Sequence, residues 1–248
     1  MKKIFLLVTF LCISCHNLFA QSMNVYYKTV SDKCLDLNYG IIATYPQVDF
    51  GPDGLMGLRG IEQDINNSMD TTINGIIQNF KNEVAQLPNK TVMNGLGSSL
   101  EITSTANVIS GTILSANIKA FSAVAGAAHP ITITYTYNYS TTATGLLSIS
   151  DLFIPNSDFV NYLSDYSIAD LRTYAYKQGY SIDNMITQGA SPEIKNFNAW
   201  NLTVDSLVIT FNPYQVALYV FGIQTVSIPL SNMINMIDPN GPLAFMFR

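Results

Sequence analysis

Histidine, cysteine and charge are scarce in this 248-residue chain, and each scarcity closes off a class of chemistry. There are two histidines, His16 and His129, and three cysteines, Cys12, Cys15 and Cys34. His16, Cys12 and Cys15 fall in the first 20 residues, which read as an export signal, and the remaining His129 and Cys34 cannot complete a tetrahedral zinc site or offer a catalytic triad a choice of imidazoles. Only 12% of residues are charged, and no cluster of lysine and arginine exists to neutralise a phosphate backbone, which argues against a nucleic-acid partner. Gly51, Gly54, Gly57 and Gly60 recur every three residues, but no Lys-Ser/Thr follows them, so they do not make a phosphate-cradling loop. After Ser22 no apolar stretch reaches the ~20 residues that a membrane-spanning helix needs, so the mature chain is expected to have no transmembrane segment.

What is present begins with an export signal. Lys2 and Lys3, the apolar run Ile4 to Ile13, and Leu18-Phe19-Ala20-Gln21 read as a charged region, a short hydrophobic region and a cleavage point, making residues 1–20 a signal peptide. A rival reading makes Cys15 a lipid-bearing N-terminus, with Cys12 where a lipoprotein signal usually carries leucine. Either way the product is periplasmic or secreted. Loss of Lys2 and Lys3 leaves 10 basic residues against 17 acidic ones, a net charge of about −7 that would draw a cationic protein. Cys34 then remains as the internal cysteine, unable to form an intramolecular disulfide and expected to be a small buried apolar residue beside Leu35 and Leu37.

The hydrophobic pattern places the elements. Val25 to Val30 and Cys34 to Tyr45 read as strands joined by a turn at Ser31-Asp32-Lys33. Ile61, Ile65, Met69, Ile73, Ile76, Ile77, Phe80 and Val84 recur at steps of three and four, predicting a long amphipathic helix that ends near Leu87-Pro88. From Leu100 the period becomes two, giving a pair of antiparallel strands about a Ser110-Gly111 turn. His129 to Ser140 is the clearest strand, with Ile131, Ile133, Tyr135, Tyr137 and Tyr139 on a core face and Thr132, Thr134, Thr136 and Asn138 on the other. Thr144-Gly145 makes a turn, Asp158 caps a helix from Phe159 to Lys177, and Tyr162, Tyr166, Leu171 and Tyr174 are its apolar positions. A shorter helix at Ile182 to Ile186, a hairpin around Asp205-Ser206, a strand at Ile223 to Ile228 and a terminal helix at Ser231 to Ile237 complete the chain. The order is that of an α+β fold of antiparallel sheets, with a long helix packed on one face in each half. Residues 21–122 form an N-terminal strand–helix–strand segment, and 123–248 a C-terminal domain packed with it as one unit.

Catalytic groupings do not assemble from this inventory. Cys34 and His129 lie in no nucleophile signature, and His129 is expected to fix the start of its strand while Pro130 sets the entry angle. Asp49, Asp53, Glu62 and Asp64 miss the alternating spacing of a calcium loop. Glu101 and Asp151 are nominal candidates for a glycosidase carboxylate pair, but nothing pairs them, and Asp151 reads as a turn former. No metal or cofactor is expected. Tyr and Phe are plentiful, at 14 and 13 residues, and supply amphipathic binding surface.

Gly126-Ala127-Ala128-His129-Pro130, Ser150-Asp151-Leu152-Phe153 and Phe211-Asn212-Pro213-Tyr214 with Tyr219 to Gly222 occur in this order and carry a resemblance. Together, over Ala123 to Met236, they are similar to the bacterial extracytoplasmic family of unknown function numbered 3298, which includes the C-terminal domain of a lysozyme-sensing anti-sigma factor. Val25 to Ser122 looks like the companion segment that usually precedes it. The resemblance implies a binding role for the loops carrying Pro213, Tyr214 and Tyr219, with His129 as a further candidate. It implies a lysozyme-like glycan hydrolase or a cell-wall glycan as partner, without catalysis. Similar domains can accompany cell-wall deacetylases, so the alternative is a hydrolase or deacetylase acting on envelope polysaccharide. Three positions depart from the family pattern: Gln215, where an acidic residue is usual; Leu218, where proline is usual; and Ser206, where glycine is common.

Overall fold

The computed structural model describes residues 23–51, 56–87, 97–143 and 145–247. The signal-peptide and lipidation readings, with Cys15 and Ala20, lie outside the described residues, as do Asp53, Gly54, Pro88 and Thr144. Among the described residues there are three α-helices and nine strands in two sheets, an α+β fold.

A β-hairpin opens the chain. Strand β1 (Asn24–Cys34) pairs antiparallel with β2 (Tyr39–Asp49), and the turn falls at Leu35 to Asn38 rather than at Ser31-Asp32-Lys33. Asn38 supplies the left-handed residue the turn requires, with φ of 49°, a conformation asparagine tolerates better than most side chains. The polar triplet instead continues β1 along the edge of the sheet, where Asp32 pairs with Lys81 and accepts from the Tyr39 hydroxyl. Leu35 and Leu37 are consequently exposed, and Cys34 is half-buried at the strand end.

Helix α1 (Met56–Ala85) then crosses the sheet to β3 (Ser98–Ile109), which lies parallel to β2. The expected stripe is the buried one: Ile65, Met69, Ile73, Ile76, Phe80 and Val84 all pack on the sheet. A polar anchor fixes its middle, where the Asp70 carboxylate accepts from Lys28 Nζ, the Tyr45 hydroxyl and Gln47 Nε2. Strands β4 (Ile113–Ala123) and β5 (Ile131–Ser140) extend the sheet antiparallel, and β6 (Gly145–Leu146) ends it in the order β1-β2-β3-β4-β5-β6. The β2–β3 pair, joined through a helix, is the parallel exception in this sheet. Ser110 and Gly111, with φ of 50° and 71°, make the β3–β4 turn as expected. Residue 123, the boundary read from sequence, ends β4, and β5 beyond it pairs with β4 in the first sheet.

The second unit packs helix α2 (Phe159–Gln178) and the short helix α3 (Asp183–Gly189) with a three-stranded antiparallel sheet, β7 (Trp200–Leu202), β8 (Ser206–Phe211) and β9 (Gln224–Pro229). Asp158 holds the N-cap position of α2, but its carboxylate accepts from Asn161 Nδ2 rather than from the helix backbone. The buried stripe of α2 is Leu163, Ser164, Ser167, Leu171 and Ala175, whereas Tyr174 is exposed. The C-terminal stretch forms a 3-10 turn at Leu230–Met233 and a bridge from Ile237 to Phe153, not an α-helix.

How the two units join is not given by the sequence pattern. The Thr/Asn face of β5 is not solvent-facing along its length: Thr134 and Asn138 are buried, while Tyr135 on the nominal core face is partly exposed. That polar face receives β7. In β7 the outward-facing N–H and C=O groups of Trp200 and Leu202 lack a neighbouring strand, and four side chains from the first sheet replace it. Trp200 N–H donates to Thr136 Oγ1, and its carbonyl accepts from Asn138 Nδ2 at 2.8 Å. Leu202 N–H donates to Ser115 Oγ at 2.7 Å, and its carbonyl accepts from Asn107 Nδ2 at 3.0 Å. Ser115 in turn donates to Asn138 Oδ1 at 2.6 Å, closing a buried relay. Beside it, Ile109 and Ile113 at the tip of the β3–β4 hairpin enter the hydrophobic core of the second unit.

Two predictions follow from these contacts. Asn138→Ala removes the acceptor of Ser115 Oγ and the donor to the Trp200 carbonyl, leaving both unpaired in the interior, so calorimetry should show a loss of about 2–3 kcal/mol and a Tm lower by roughly 5–10 °C. Exposed Thr105→Ala, on the same sheet face, should change stability by less than about 0.5 kcal/mol. The second concerns Tyr137, whose hydroxyl donates to the Ile65 carbonyl and whose pKa burial pushes up to about 12. The unfolded chain ionises this group near its ordinary 10, so its contribution is complete below pH 10 and is lost as pH rises towards 12. A shift of that size is worth on the order of 3 kcal/mol. Urea titrations from pH 9 to 12 should show a steep alkaline fall in stability that Tyr137→Phe makes shallower by about one proton.

Candidate functional site

The sequence nominated His129, Pro213, Tyr214 and Tyr219, and the structure brings the three rings into one cluster where the β4–β5 loop meets the β8–β9 connection. His129 precedes Pro130 at the mouth of β5, in a loop turned by Gly126 at φ 88° and closed by Ala127 N–H to the Val124 carbonyl. The Tyr219 ring stacks on the His129 imidazole, with centroids 3.9 Å apart and planes at 23°, and the Tyr214 ring centroid is 6.0 Å from that of Tyr219 with planes at 25°. The Pro130 carbonyl accepts from the Tyr219 hydroxyl and faces His129 Nδ1 at 3.0 Å. A carbonyl only accepts, so Nδ1 carries the proton, and in the neutral ring Nε2 accepts from the Tyr214 hydroxyl at 3.2 Å.

Local sequence explains why this loop stands where it does. The Asn212 side chain forms an amide clamp on the free edge of β5, accepting from Thr134 N–H at 2.7 Å and donating to the Thr134 carbonyl at 3.0 Å. Pro213 follows, and Tyr214 adopts φ of 71°, a left-handed conformation that costs a tyrosine on the order of 1 kcal/mol. The turn is held by Gln215 N–H to the Asn212 carbonyl and Tyr214 N–H to the Ala217 carbonyl, with Val216 and Ala217 buried beneath. The 3-10 turn Tyr219–Phe221 is gripped from both sides, Tyr219 by His129 and Phe221 by Tyr180, whose ring is 4.0 Å away. Tyr180 is aimed there because Gly179 ends α2 in the left-handed conformation and Tyr180 N–H returns to the Ala175 carbonyl. Tyr214, Leu218 and Val220 remain half or more exposed at 52%, 50% and 76%.

Two of the family departures now have a physical account. Gln215 Nε2 donates to the carbonyls of Gly189 and Asn196, at 3.0 and 2.9 Å, which a carboxylate cannot do. Gly189 itself leaves no room: a Cβ there would stand 1.9 Å from the Gln215 carbonyl oxygen. Leu218 has φ of −63°, the value that proline fixes, so leucine keeps the geometry without the ring. Ser206 opens β8 inside a small hydrogen-bonded turn, with its N–H to Thr203 Oγ1 and its hydroxyl to Asp205 Oδ1. These hydroxyls hold the Asp205 carboxyl below its ordinary pKa.

The other nominated groups stay apart from the cluster. Asp151 accepts from Ser148 N–H and Oγ, closing a turn. Glu62 accepts from Phe50 N–H, and Asp49 from Gly51 N–H. Cys34 is a free thiol, and among the described residues the hydrogen-bond and ring partners of His129 are Pro130, Tyr214 and Tyr219. No three His, Cys, Asp or Glu side chains among the described residues gather closely enough to hold a metal ion. What sequence reasoning missed is Asn212 as a clamp and Tyr180–Phe221 as a support; the spacing of aromatic residues across 174–221 is the signal that could have pointed to the latter. A cluster with one imidazole, two phenols and no carboxylate is equipped to stack on and hydrogen-bond a ligand.

Comparison with known proteins agrees with this architecture. Residues 150–231, which run from the turn before α2 to just past β9 in the second unit, match the family described as protein of unknown function (DUF3298). Two crystal structures share the fold of nearly the whole chain. A DUF3298 family member from Bacteroides fragilis has a TM-score of 0.64 at 13% identity, covering 89% of this chain and 96% of its own. A DUF3298 family protein from Pseudomonas aeruginosa has a TM-score of 0.61 at 10% identity, covering 89% and 97%. The peptidoglycan-N-acetylmuramic acid deacetylase PdaC of Bacillus subtilis is 30% identical over 106 residues, which is 43% of this chain and 22% of that protein. This chain therefore spans about a fifth of that curated relative. No helix among the described residues is long and apolar enough to cross a membrane.

The loop geometry generates a paired test. Gln215→Glu should lower stability by about 2 kcal/mol in urea unfolding, since it removes two donors and sets a carboxylate against two carbonyls. Leu218→Pro, at a compatible φ, should raise it by about 0.4–1 kcal/mol.

Proposed function

We propose that this is an exported protein of the bacterial envelope that works by contact, holding a cell-wall glycan against the Tyr214–Tyr219–His129 cluster. The observation that carries the reading is the cluster itself: near-parallel rings at a loop junction, with the half-exposed Tyr214 ring placed to take the C–H face of a sugar and the imidazole and phenol edges to take its hydroxyls. The left-handed Tyr214 supports it, because backbone strain persists where surrounding structure over-determines a position, and such positions collect at binding sites. The partial relationship to a peptidoglycan deacetylase supports a cell-wall setting. A lysozyme-like glycan hydrolase is the other partner class, favoured by the net charge of −5, which attracts a cationic protein. Contact is preferred to turnover because the imidazole is engaged with a carbonyl and two phenols.

Co-sedimentation of the mature protein with purified peptidoglycan, run beside pull-downs with c-type and g-type lysozymes, tests the proposal. Glycan binding at micromolar or lower Kd is expected, weakened at least about tenfold by Tyr214→Ala combined with Tyr219→Ala, the loss expected of a hot-spot aromatic. Full binding by the double variant would remove the cluster as the site. Binding to lysozyme alone would transfer the role to the protein partner, and peptidoglycan turnover abolished by His129→Ala would replace contact with catalysis.

A further inference from the structure

Building on the glycan reading, we propose that the site continues from the aromatic cluster across the back face of the first sheet and accepts an anionic glycan chain several sugars long. The face of β2, β3 and β4 turned away from α1 carries a groove of about 720 Å³, within the roughly 300–1,000 Å³ common for ligand sites. The strand register sets its floor: Ile42 faces Glu101, Glu101 faces Phe121, and Phe121 faces Thr132. Ile42 and Phe121 are 57% and 39% exposed, unusual for a β-branched and an aromatic residue at the centre of a sheet. Neighbouring strands lie ~4.8 Å apart, so this row runs about 15 Å from β2 to β5. Thr132 is two residues from Pro130, whose carbonyl joins His129 and Tyr219. The row therefore leads into the aromatic cluster, and together they are longer than any single sugar ring.

Charge on this face identifies the class of chain. Lys28, Lys81, Arg172 and Lys195 are in ion pairs; Lys33 and Lys119, like Arg59 and Lys177 on the two long helices, have no ion-pair partner among the described residues, and they stand one on each side of the row. Register places both on the back face, Lys33 beside Gly40 and Lys119 beside Thr134. Of the acidic groups at the groove, Asp32 is already neutralised by Lys81, and Glu101 lies between the two free ammonium groups as an acceptor for amide or hydroxyl donors. In a chain of net charge −5, two unpaired cations beside exposed apolar floor residues match a polysaccharide bearing carboxylates and acylated amines.

Isothermal titration of the mature protein with a length series of peptidoglycan glycans, from disaccharide to octasaccharide, tests this beside neutral N-acetylglucosamine oligomers of equal length. Affinity is expected to rise at least tenfold with length for the anionic series and less for the neutral one. Phe121→Ala, and Lys33→Ala with Lys119→Ala, should erase the length-dependent gain while leaving disaccharide binding intact; circular dichroism confirms that each variant is folded. Equal affinity at every length, or a gain that survives both variants, overturns the extended site and leaves the aromatic cluster standing. Failure of the wild type to bind any member of the anionic series overturns the glycan reading itself.

Discussion

The relay from Leu202 N–H through Ser115 and Asn138 to the Trp200 carbonyl is the contact on which the arrangement of the molecule depends. A three-residue strand cannot stand unpaired in a protein interior, because each buried backbone group without a partner costs as much as a lost hydrogen bond. Here the missing neighbour is not a strand but a row of side chains from β3, β4 and β5, which fixes the second sheet in position and direction on the first. Hydrophobic packing alone, through Ile109 and Ile113, would hold the units together without choosing a register; the polar relay is satisfied in one register only.

Fixing that register also places the aromatic cluster. The same face of β5 that receives β7 has its free edge clamped by Asn212, so the connection between β8 and β9 leaves the second sheet already attached to the first. His129, at the start of β5, and Tyr219, in the connection, meet because both are tied to this one strand. The cluster is thus a product of the junction between units, with neither unit able to form it alone.

Much of this was legible in sequence. The stripe of α1 gave most of its buried face, the Ser110-Gly111 turn was read from its composition, and His129, Tyr214 and Tyr219 were nominated from motif resemblance, although nothing in the sequence said that their rings meet. The misplaced β1–β2 turn shows the limit: Ser31-Asp32-Lys33 has turn composition, but on an edge strand those side chains face solvent and Lys81 at no cost to pairing. What the Thr/Asn face of β5 meets was not legible for a related reason. Alternation reports that one face is polar, and it cannot distinguish residues that meet water from residues that meet another chain segment's backbone. The parallel β2–β3 pairing and the groove at Ile42 and Phe121 depend on register between strands distant in sequence, which local periodicity does not encode.

The contact between Gly189 and the Gln215 carbonyl has an evolutionary consequence. With 1.9 Å available, no larger residue can occupy position 189 unless the connecting loop is rerouted, and rerouting would release the amide of Gln215 from both of its acceptors. The path of the main chain there is frozen, while the outward side chains of Leu218 and Val220, half or more exposed, make no contact among the described residues that ties them to it. A lineage carrying this scaffold can therefore change the surface at these two positions and leave the architecture beneath them untouched.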